Sequence, residues 1–240
     1  MNRNTLVILM HGKWSSTTTP ALRLLEKKLL SENYQVEKPH MPWSRQRRYD
    51  QTYHDALKDL SNKIKKHKQQ GIERIILMGH SMGANACFAY QAEYNDADAI
   101  VALAPGHSPE HYVLKSTRHE YLIKKVESKI NNNLNKELIK FEDINCSRKR
   151  TFELEAEIFY SYFNPQGLGN MVKSASRIKK SIPVLYIEGA TDHVKIGPDY
   201  VFSKLPYHQY NRYKILKSNH ANTPEVSKDI IVEWLNSLKN

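Results

Sequence analysis

Short apolar runs recur along the 240-residue chain, and most of them end at a polar or glycine-containing turn. A continuous apolar run of four to eight residues that is rich in β-branched side chains is typical of a strand buried on both faces of a sheet. Six segments are predicted to be strands: residues 5–10, 35–39, 74–78, 99–104, 183–188 and 212–216.

Helical periodicity separates these runs. Leu22, Leu25 and Leu29 recur at helical spacing after Thr19 and Pro20, a pair that commonly starts a helix. Further helices are predicted over residues 50–69, after Gly83 in a segment rich in alanine, and at the end of the chain, where one face carries Val226, Ile230, Trp234 and Leu238. Strands that alternate with helices in this way predict a mostly parallel sheet with helices on both faces.

One long segment interrupts the alternation. The strand that ends at residue 104 and the strand that begins at residue 183 are separated by far more residues than a simple crossover needs. One helix in this segment is predicted by an i, i+4 series: Leu122, Val126, Ile130, Leu134 and Leu138. A second helix, crowded with aromatic side chains, is predicted over residues 151–163. We therefore expect a single domain over residues 1–240, in which residues 108–180 form a small helical cap laid over the sheet.

Composition narrows the classes of protein that the chain can represent. Hydrophobic residues make up 40% of the sequence, which is enough for a packed interior. No apolar run approaches the roughly 20 residues of a membrane-spanning helix, and the first residues lack the long apolar stretch of a secretory signal. We therefore expect a cytoplasmic protein without a transmembrane segment. Cys87 and Cys146 lie in no zinc-like or disulfide-framework spacing, so no metal is expected.

The formal net charge of +11 raises the question of an acidic partner. The lysines and arginines are spread over several short clusters, mostly on predicted helix surfaces and at turns. No recognition helix, aromatic RNA-binding pattern or zinc motif accompanies them. We interpret the charge as solvated helix surfaces and expect no nucleic-acid partner.

The clearest chemical signal is the string Gly79-His80-Ser81-Met82-Gly83. A G-x-S-x-G string alone is weak evidence, because chance gives about 0.1 matches in a chain of this length. Here it lies between a buried strand and a helix, where a sharp turn projects the serine hydroxyl at the carboxyl edge of the sheet. The start of the helix directs its free N–H groups to the same place. Ser81 is therefore the candidate nucleophile; the alternative is a serine in an ordinary tight turn.

With the motif in this place, the sequence resembles the α/β-hydrolase superfamily over nearly its whole length. The chain order in that superfamily is nucleophile, acid, base, with the acid after a late strand and the base after the last strand. The resemblance thus implies Asp192 as the acid and His220 as the base. His193 remains a rival base, and Glu188 and Asp199 remain rival acids.

The resemblance also implies two backbone N–H donors for the negatively charged oxygen that forms during acyl transfer. Met82 follows the nucleophile, and Lys13 lies in the turn His11-Gly12-Lys13-Trp14, which resembles the HG-x turn of the family. Trp14 is the alternative second donor. The strands that often precede this turn in the family are absent, so we expect a reduced sheet of about six strands.

Four further residues are expected to contact the substrate: Trp14, His107, Phe159 and Phe163. The activity that the resemblance implies is cleavage of a carboxylic ester of short or medium acyl chain through an acyl-enzyme, without a cofactor or metal. Two alternatives stay open: an acyl thioesterase, and a noncatalytic binding protein that keeps the hydrolase scaffold.

Overall fold

The computed structural model of the protein describes residues 2–146 and 148–238. Its strands, in chain order, are β1 (Thr5–Met10), β2 (Gln35–Glu37), β3 (Arg74–His80), β4 (Ala99–Leu103), β5 (Leu138–Asn145), β6 (Arg148–Glu155), β7 (Val184–Gly189) and β8 (Arg212–Leu216). Six of them form one sheet in the order β2-β1-β3-β4-β7-β8, and each neighbouring pair is parallel. The predicted reduced, mostly parallel sheet is confirmed.

Helices cover both faces of this sheet, as predicted. Their bounds are α1 (Pro20–Ser31), α2 (Tyr53–Gln69), α3 (Met82–Tyr94), α4 (Pro109–Lys115), α5 (Thr117–Asn131), α6 (Ala156–Phe163), α7 (Met171–Arg177), α8 (Thr223–Val226) and α9 (Lys228–Ser237). Because side chains alternate along β1, Val7 and Leu9 face α1 and α9, whereas Leu6 and Ile8 face the core that contains α2 and α3. None of the helices among the described residues is long and apolar enough to cross a membrane.

Helix α3 is buried along almost its whole length. Its small residues allow the backbone to approach the sheet closely, and a Cβ on Gly83 would overlap the backbone carbonyl of Met10 in β1. The close approach fixes the start of α3 against the ends of β1 and β3. Ser81 lies at that junction.

The last helix differs from its prediction. The segment forms two helices, α8 and α9, that meet at Ser227, whose hydroxyl donates to the carbonyl of Thr223. The buried stripe of α9 consists of Ile231, Val232, Trp234 and Leu235. Val226, predicted on the buried face, is 41% exposed because it belongs to the separate turn α8.

The insertion between β4 and β7 contains α4, α5, α6 and α7 but also the antiparallel hairpin β5–β6. The prediction of an entirely helical segment was therefore wrong in its middle part. Helix α5 ends at Asn131, and Asn133 adopts a left-handed φ of 61°, which stops the i, i+4 series. Phe141 pairs with Phe152 across the hairpin, so residues 151–155 lie in a strand.

Polar contacts attach the insertion to the main domain. Asn85 of α3 is fully buried, and its amide nitrogen donates to the carbonyls of His107 and Gly169. The hydroxyl of Ser161 in α6 accepts from the amide of Tyr53 at the start of α2. The insertion therefore lies on the side of the sheet that carries α2 and α3.

Candidate active site

Ser81 occupies a strained turn between β3 and α3. Its backbone angles are φ 56° and ψ −120°, a combination that side-chain-bearing residues rarely adopt and that is often found at functional sites. A Cβ on Gly79 would overlap the carbonyl of Gly83, so the turn requires glycine two residues before the serine. The Ser81 amide donates to the carbonyl of Leu103 at 2.9 Å. Met82 begins α3, and its amide is one of the N–H groups that a helix leaves unpaired.

Three predicted side chains meet in a hydrogen-bonded series. The Ser81 Oγ lies 2.9 Å from His220 Nε2, and His220 Nδ1 lies 2.8 Å from Asp192 Oδ2. With the carboxylate as acceptor, Nδ1 carries the proton and Nε2 is left to accept the serine hydroxyl. The geometry thus connects a hydroxyl, an imidazole and a carboxylate from three separate loops.

The carboxyl group of Asp192 is held in its charged form. Burial alone would raise its pKa, but the hydrogen bond and charge of His220 and the backbone amide of Val194 lower the pKa below its ordinary value. The Val194 amide donates to Asp192 Oδ1 at 2.8 Å. The two carboxylate oxygens therefore have separate partners, and the one facing His220 is fixed in position.

His193, the rival base, lies on the outer side of this series. Its Nδ1 is 3.6 Å from Asp192 Oδ1, and 52% of its side chain is exposed. Its ring packs against that of His220, with 5.4 Å between centroids. Within the described residues, His220 is the histidine whose ring nitrogen contacts the Ser81 hydroxyl.

The two rival acids have other surroundings. Glu188 is buried at the end of β7, where its carboxylate accepts from the amides of Ile196 and Gly197 and from the hydroxyl of Tyr213. These bonds fix the loop that follows β7. Asp199 is exposed, and its carbonyl accepts a serine hydroxyl four residues later.

The loop after β1 passes directly beside Ser81. A Cβ on Gly12 would lie 2.9 Å from that of Ser81, so the loop backbone is in contact with the serine. The Trp14 amide donates to the carbonyl of Trp43 at 2.8 Å, which removes Trp14 as the alternative second donor. The Lys13 amide has no acceptor within residues 2–146 and 148–238.

Three more histidines near this edge are buried and neutral. Burial lowers the pKa of His11, of His80 and of His107 to about 4 in each case. Each ring donates one N–H to a backbone carbonyl: His11 to Gly12, His80 to His220, and His107 to Tyr162. These histidines fix loop positions. The bond from His80 holds the loop that carries His220.

Because these three histidines are buried in their neutral form, we expect the protein to lose stability in acid. An unfolded histidine protonates near pH 6.5, whereas the folded state keeps these three neutral down to about pH 4. The contribution of the neutral rings to the free energy of unfolding is therefore complete above pH 6.5 and is lost as the pH falls toward 4. We expect the free energy of unfolding, measured by urea denaturation, to fall by about 5 kcal/mol between pH 7 and pH 5.

The matched variants are His107→Gln and His54→Gln. Glutamine at position 107 keeps a donor for the Tyr162 carbonyl but cannot titrate. The slope of the unfolding free energy against pH should therefore decrease by the amount that corresponds to the uptake of about one proton on unfolding. His54 is exposed, and its replacement should leave the slope unchanged. A free energy that stays level from pH 7 to pH 5 in the unaltered protein would contradict this interpretation.

A cleft of about 460 Å³ opens on the His193 side of the hydrogen-bonded series, and its lining includes His193 and Val194 but not Ser81, Asp192 or His220. One wall comes from the insertion and the residue preceding it, and includes His107, Tyr112 and Ile144; the opposite wall is the loop after β7 and includes His193 and Ile196. Its volume is in the range of small-molecule sites. No three His, Cys, Asp or Glu side chains in the described part of the chain are grouped so that they hold a metal ion.

The residues predicted to contact substrate are placed differently from one another. His107 lines the cleft, and Phe163 packs behind it with 5.5 Å between ring centroids. Trp14 is 8% exposed and donates through Nε1 to Asp143. Of the four residues expected to contact the substrate, His107 lines the cleft, whereas Trp14, Phe159 and Phe163 do not. Phe159 is 1% exposed within the aromatic core of the insertion. A small insertion needs such side chains for its own core.

Asp143 is a site residue that sequence reasoning missed. This buried carboxylate accepts from Lys13 Nζ at 2.8 Å, Trp14 Nε1 at 3.1 Å, the Tyr49 hydroxyl at 2.9 Å and the Ile144 amide at 2.9 Å. It comes from β5, yet its partners include the loop beside Ser81. The only sequence signal is its position two residues after the buried Phe141 in an alternating strand.

Comparisons with known proteins agree with this architecture. Solved structures with similar folds include the lipolytic metagenome-derived enzymes described as LipS and LipT (TM-score 0.66, 15% identity, covering 99% of this chain and 94% of that chain). Est1E from Butyrivibrio proteoclasticus with ferulic acid bound has a TM-score of 0.66 at 15% identity, covering 97% and 88%. A monoacylglycerol lipase from Paleococcus ferrophilus has a TM-score of 0.66 at 17% identity, covering 99% and 96%.

The sequence itself matches one family model. No curated protein matches the chain. Residues 43–196, more than half of the chain, match the model described as serine aminopeptidase, S33. The matched region contains Ser81 and Asp192. The chain therefore belongs to the serine aminopeptidase S33 family of α/β-hydrolases.

Proposed function

We propose that this hydrolase cleaves a carboxylic ester of short or medium acyl chain, with Ser81 as nucleophile, His220 as base and Asp192 as acid. The observation that carries the proposal is the hydrogen-bonded series from Ser81 Oγ through His220 to the Asp192 carboxylate. The esterases and lipases among the structural neighbours support the choice of an ester.

In the first step, Ser81 Oγ attacks the ester carbonyl carbon while its proton passes to His220 Nε2. His220 then carries a positive charge, which the ionised Asp192 stabilises through the Nδ1–H bond. The neutral state of buried His80, whose ring lies 5.1 Å from that of His220, adds no opposing charge.

The carbonyl oxygen becomes negatively charged in the tetrahedral intermediate. The backbone amides of Lys13 and Met82 are the donors for this oxygen, because both flank Ser81 and neither is used within the loop. Each such donor contributes a factor of about 10²–10³ in rate. The start of α3 adds the favourable dipole of its N-terminus.

The intermediate collapses when His220 gives its proton to the leaving alcohol oxygen, which breaks the ester bond and leaves the acyl group on Ser81. Water then loses a proton to the same nitrogen and attacks the acyl-enzyme. The acid is released with the proton returned to Ser81. No step needs a group other than these side chains, two backbone amides and water.

The insertion acts as a cap in this proposal. Residues 108–180 contribute one wall of the cleft, whose volume of about 460 Å³ accommodates a short or medium acyl chain. Tyr112 and Ile144 are two of the insertion residues that line this wall.

A series of nitrophenyl esters from acetate to dodecanoate tests the proposal. We expect kcat/KM to be highest for the short and medium chains and to fall for the longest. An acyl thioester and an aminoacyl anilide, assayed in parallel, separate ester cleavage from thioesterase and aminopeptidase activity. Absence of turnover on every ester would refute the proposed function.

A further inference from the structure

A buried ion pair joins the loop beside Ser81 to the hairpin of the insertion. Lys13 Nζ lies 2.8 Å from Asp143 Oδ1, and each side chain is 3% exposed. The same Nζ donates to the carbonyl of Ile144 at 2.6 Å. Burial alone would lower the pKa of Lys13, but the neighbouring Asp143 carboxylate raises it, so the ammonium stays charged.

Such a pair adds little net stability, since the free-energy cost of removing two charges from water offsets most of their attraction. It does impose a position. Both partners have to be placed so that every buried donor and acceptor is satisfied, and the Asp143 carboxylate meets this requirement with donors from Lys13, Trp14 and Tyr49. The loop after β1 is therefore tied to one location relative to β5.

The backbone of the same loop is held separately. The side-chain amide of Asn145, also in β5, donates to the carbonyl of Lys13 at 2.9 Å. On the other side of that peptide group, the Trp14 N–H donates to the carbonyl of Trp43. Trp14 has a φ of 55°, which is unfavourable for its side chain and persists only where the surroundings enforce it.

The held peptide adjoins the Lys13 amide, the proposed donor to the reacting oxygen. A Cβ on Gly12 would lie 2.9 Å from that of Ser81, so the residue before Lys13 is beside the serine, and a small shift of the loop changes the distance from the Lys13 N–H to the substrate oxygen. Displacement of about 1 Å in an active-site group reduces the rate by factors approaching 10².

We propose that Asp143 and Asn145 are positioning residues, through which the hairpin of the insertion places the Lys13 amide for transition-state stabilisation. This inference rests on the proposed function. It gives the insertion a role in turnover that is separate from enclosing the substrate. Asp143 acts through the Lys13 side chain, and Asn145 acts through the Lys13 carbonyl.

The test replaces Asn145 by alanine and by aspartate. Both changes remove the amide donor, and aspartate keeps the volume, so it serves where the alanine variant does not fold. We expect kcat per active site to fall by about tenfold or more with KM nearly unchanged, since the lost interaction acts on the transition state. The rate at which a fluorophosphonate modifies Ser81 should fall in parallel, because that reaction uses the same oxygen-binding amides.

Two further variants make the result specific. Asn145→Gln keeps an amide donor on a longer side chain and should recover part of the lost rate. Glu142→Gln, in the same hairpin, removes an exposed ion pair with Lys149 and should leave both rates unchanged. Active sites are counted by the fluorophosphonate bound at completion, so a loss of folded protein does not affect the rate per site.

The outcomes separate the two proposals. Suppose that the unaltered protein hydrolyses esters and that Asn145→Ala and Asn145→Asp both keep kcat per site within twofold of its value. This result would overturn the positioning role and leave the proposed function intact. An unaltered protein that neither hydrolyses esters nor reacts with the fluorophosphonate at Ser81 would overturn the proposed function and the positioning role with it.

Discussion

Ser81→Ala is expected to abolish ester hydrolysis, with kcat reduced by up to about 10⁶. The hydroxyl is the attacking group, and its one side-chain partner is His220. Alanine has the same backbone preference as serine at the strained φ of 56°, so the free energy of unfolding should change little. Turnover of the best nitrophenyl ester, measured beside the thermal unfolding midpoint, checks both expectations.

A serine far from the cleft provides the matched control. Ser61 is a buried residue of α2, and Ser61→Ala should retain the kcat of the unaltered protein. If Ser81→Ala kept most of its activity on every ester tested, Ser81 would have no part in the mechanism.

His220→Ala is expected to remove activity about as completely as Ser81→Ala, because the members of such a series act as a unit. His193→Ala should retain most of kcat, since His193 contacts Asp192 but not the Ser81 hydroxyl. The measurement is kcat of both variants across pH. Because the base has to be unprotonated to accept the serine proton, kcat should fall in acid, and this fall should persist in His193→Ala.

The opposite pattern would assign the base to His193. An active His220→Ala variant beside an inactive His193→Ala variant would contradict both the hydrogen bonds around Ser81 and the chain order used to choose His220. If both variants lose activity, their thermal unfolding midpoints show whether unfolding is the cause. His193 is half exposed, so His193→Ala should not lower the midpoint.

The parallel sheet was predictable because its signals are local. Strands buried on both faces are continuous apolar runs, and β1, which is buried at every position, has the bounds that its sequence predicted. The edge strand β8 also has its predicted bounds, although most of its residues are exposed. The turn at Ser81 was predictable because its motif is local, and Gly79 is required by contact with Gly83 four residues later, although Gly83 itself is required by the distant backbone of Met10 in β1. Once these elements are placed, the carboxyl ends of neighbouring parallel strands bring the predicted polar loops to one edge.

The hairpin of the insertion was missed because two periodicities overlapped. Leu134 and Leu138 continue an i, i+4 series by coincidence, and in the structure they are 42% and 62% exposed. The helix had already ended before Asn133, whose left-handed backbone conformation asparagine tolerates better than most residues. Beyond it, alternation of buried Ile139 and Phe141 with exposed neighbours is the strand signal.

The contacts of Asp143 have no local signal. Lys13 and Asp143 are 130 positions apart, and a carboxylate in an alternating strand points to a buried partner without saying which cation supplies it. The prediction that Phe159 contacts the substrate also lacked a local signal, because an aromatic side chain of a cap fills either the ligand pocket or the core of the cap. The antiparallel hairpin supplies Phe141 as its partner and decides for the core.

A fluorophosphonate probe followed by peptide mass spectrometry shows directly whether Ser81 is an activated nucleophile. We expect one phosphonyl group per folded chain, located on Ser81, with no labelling of protein denatured beforehand and strongly slowed labelling of His220→Ala. A protein that hydrolyses esters while Ser81 remains unmodified, or that carries the label on another residue, would show that Ser81 is not the nucleophile.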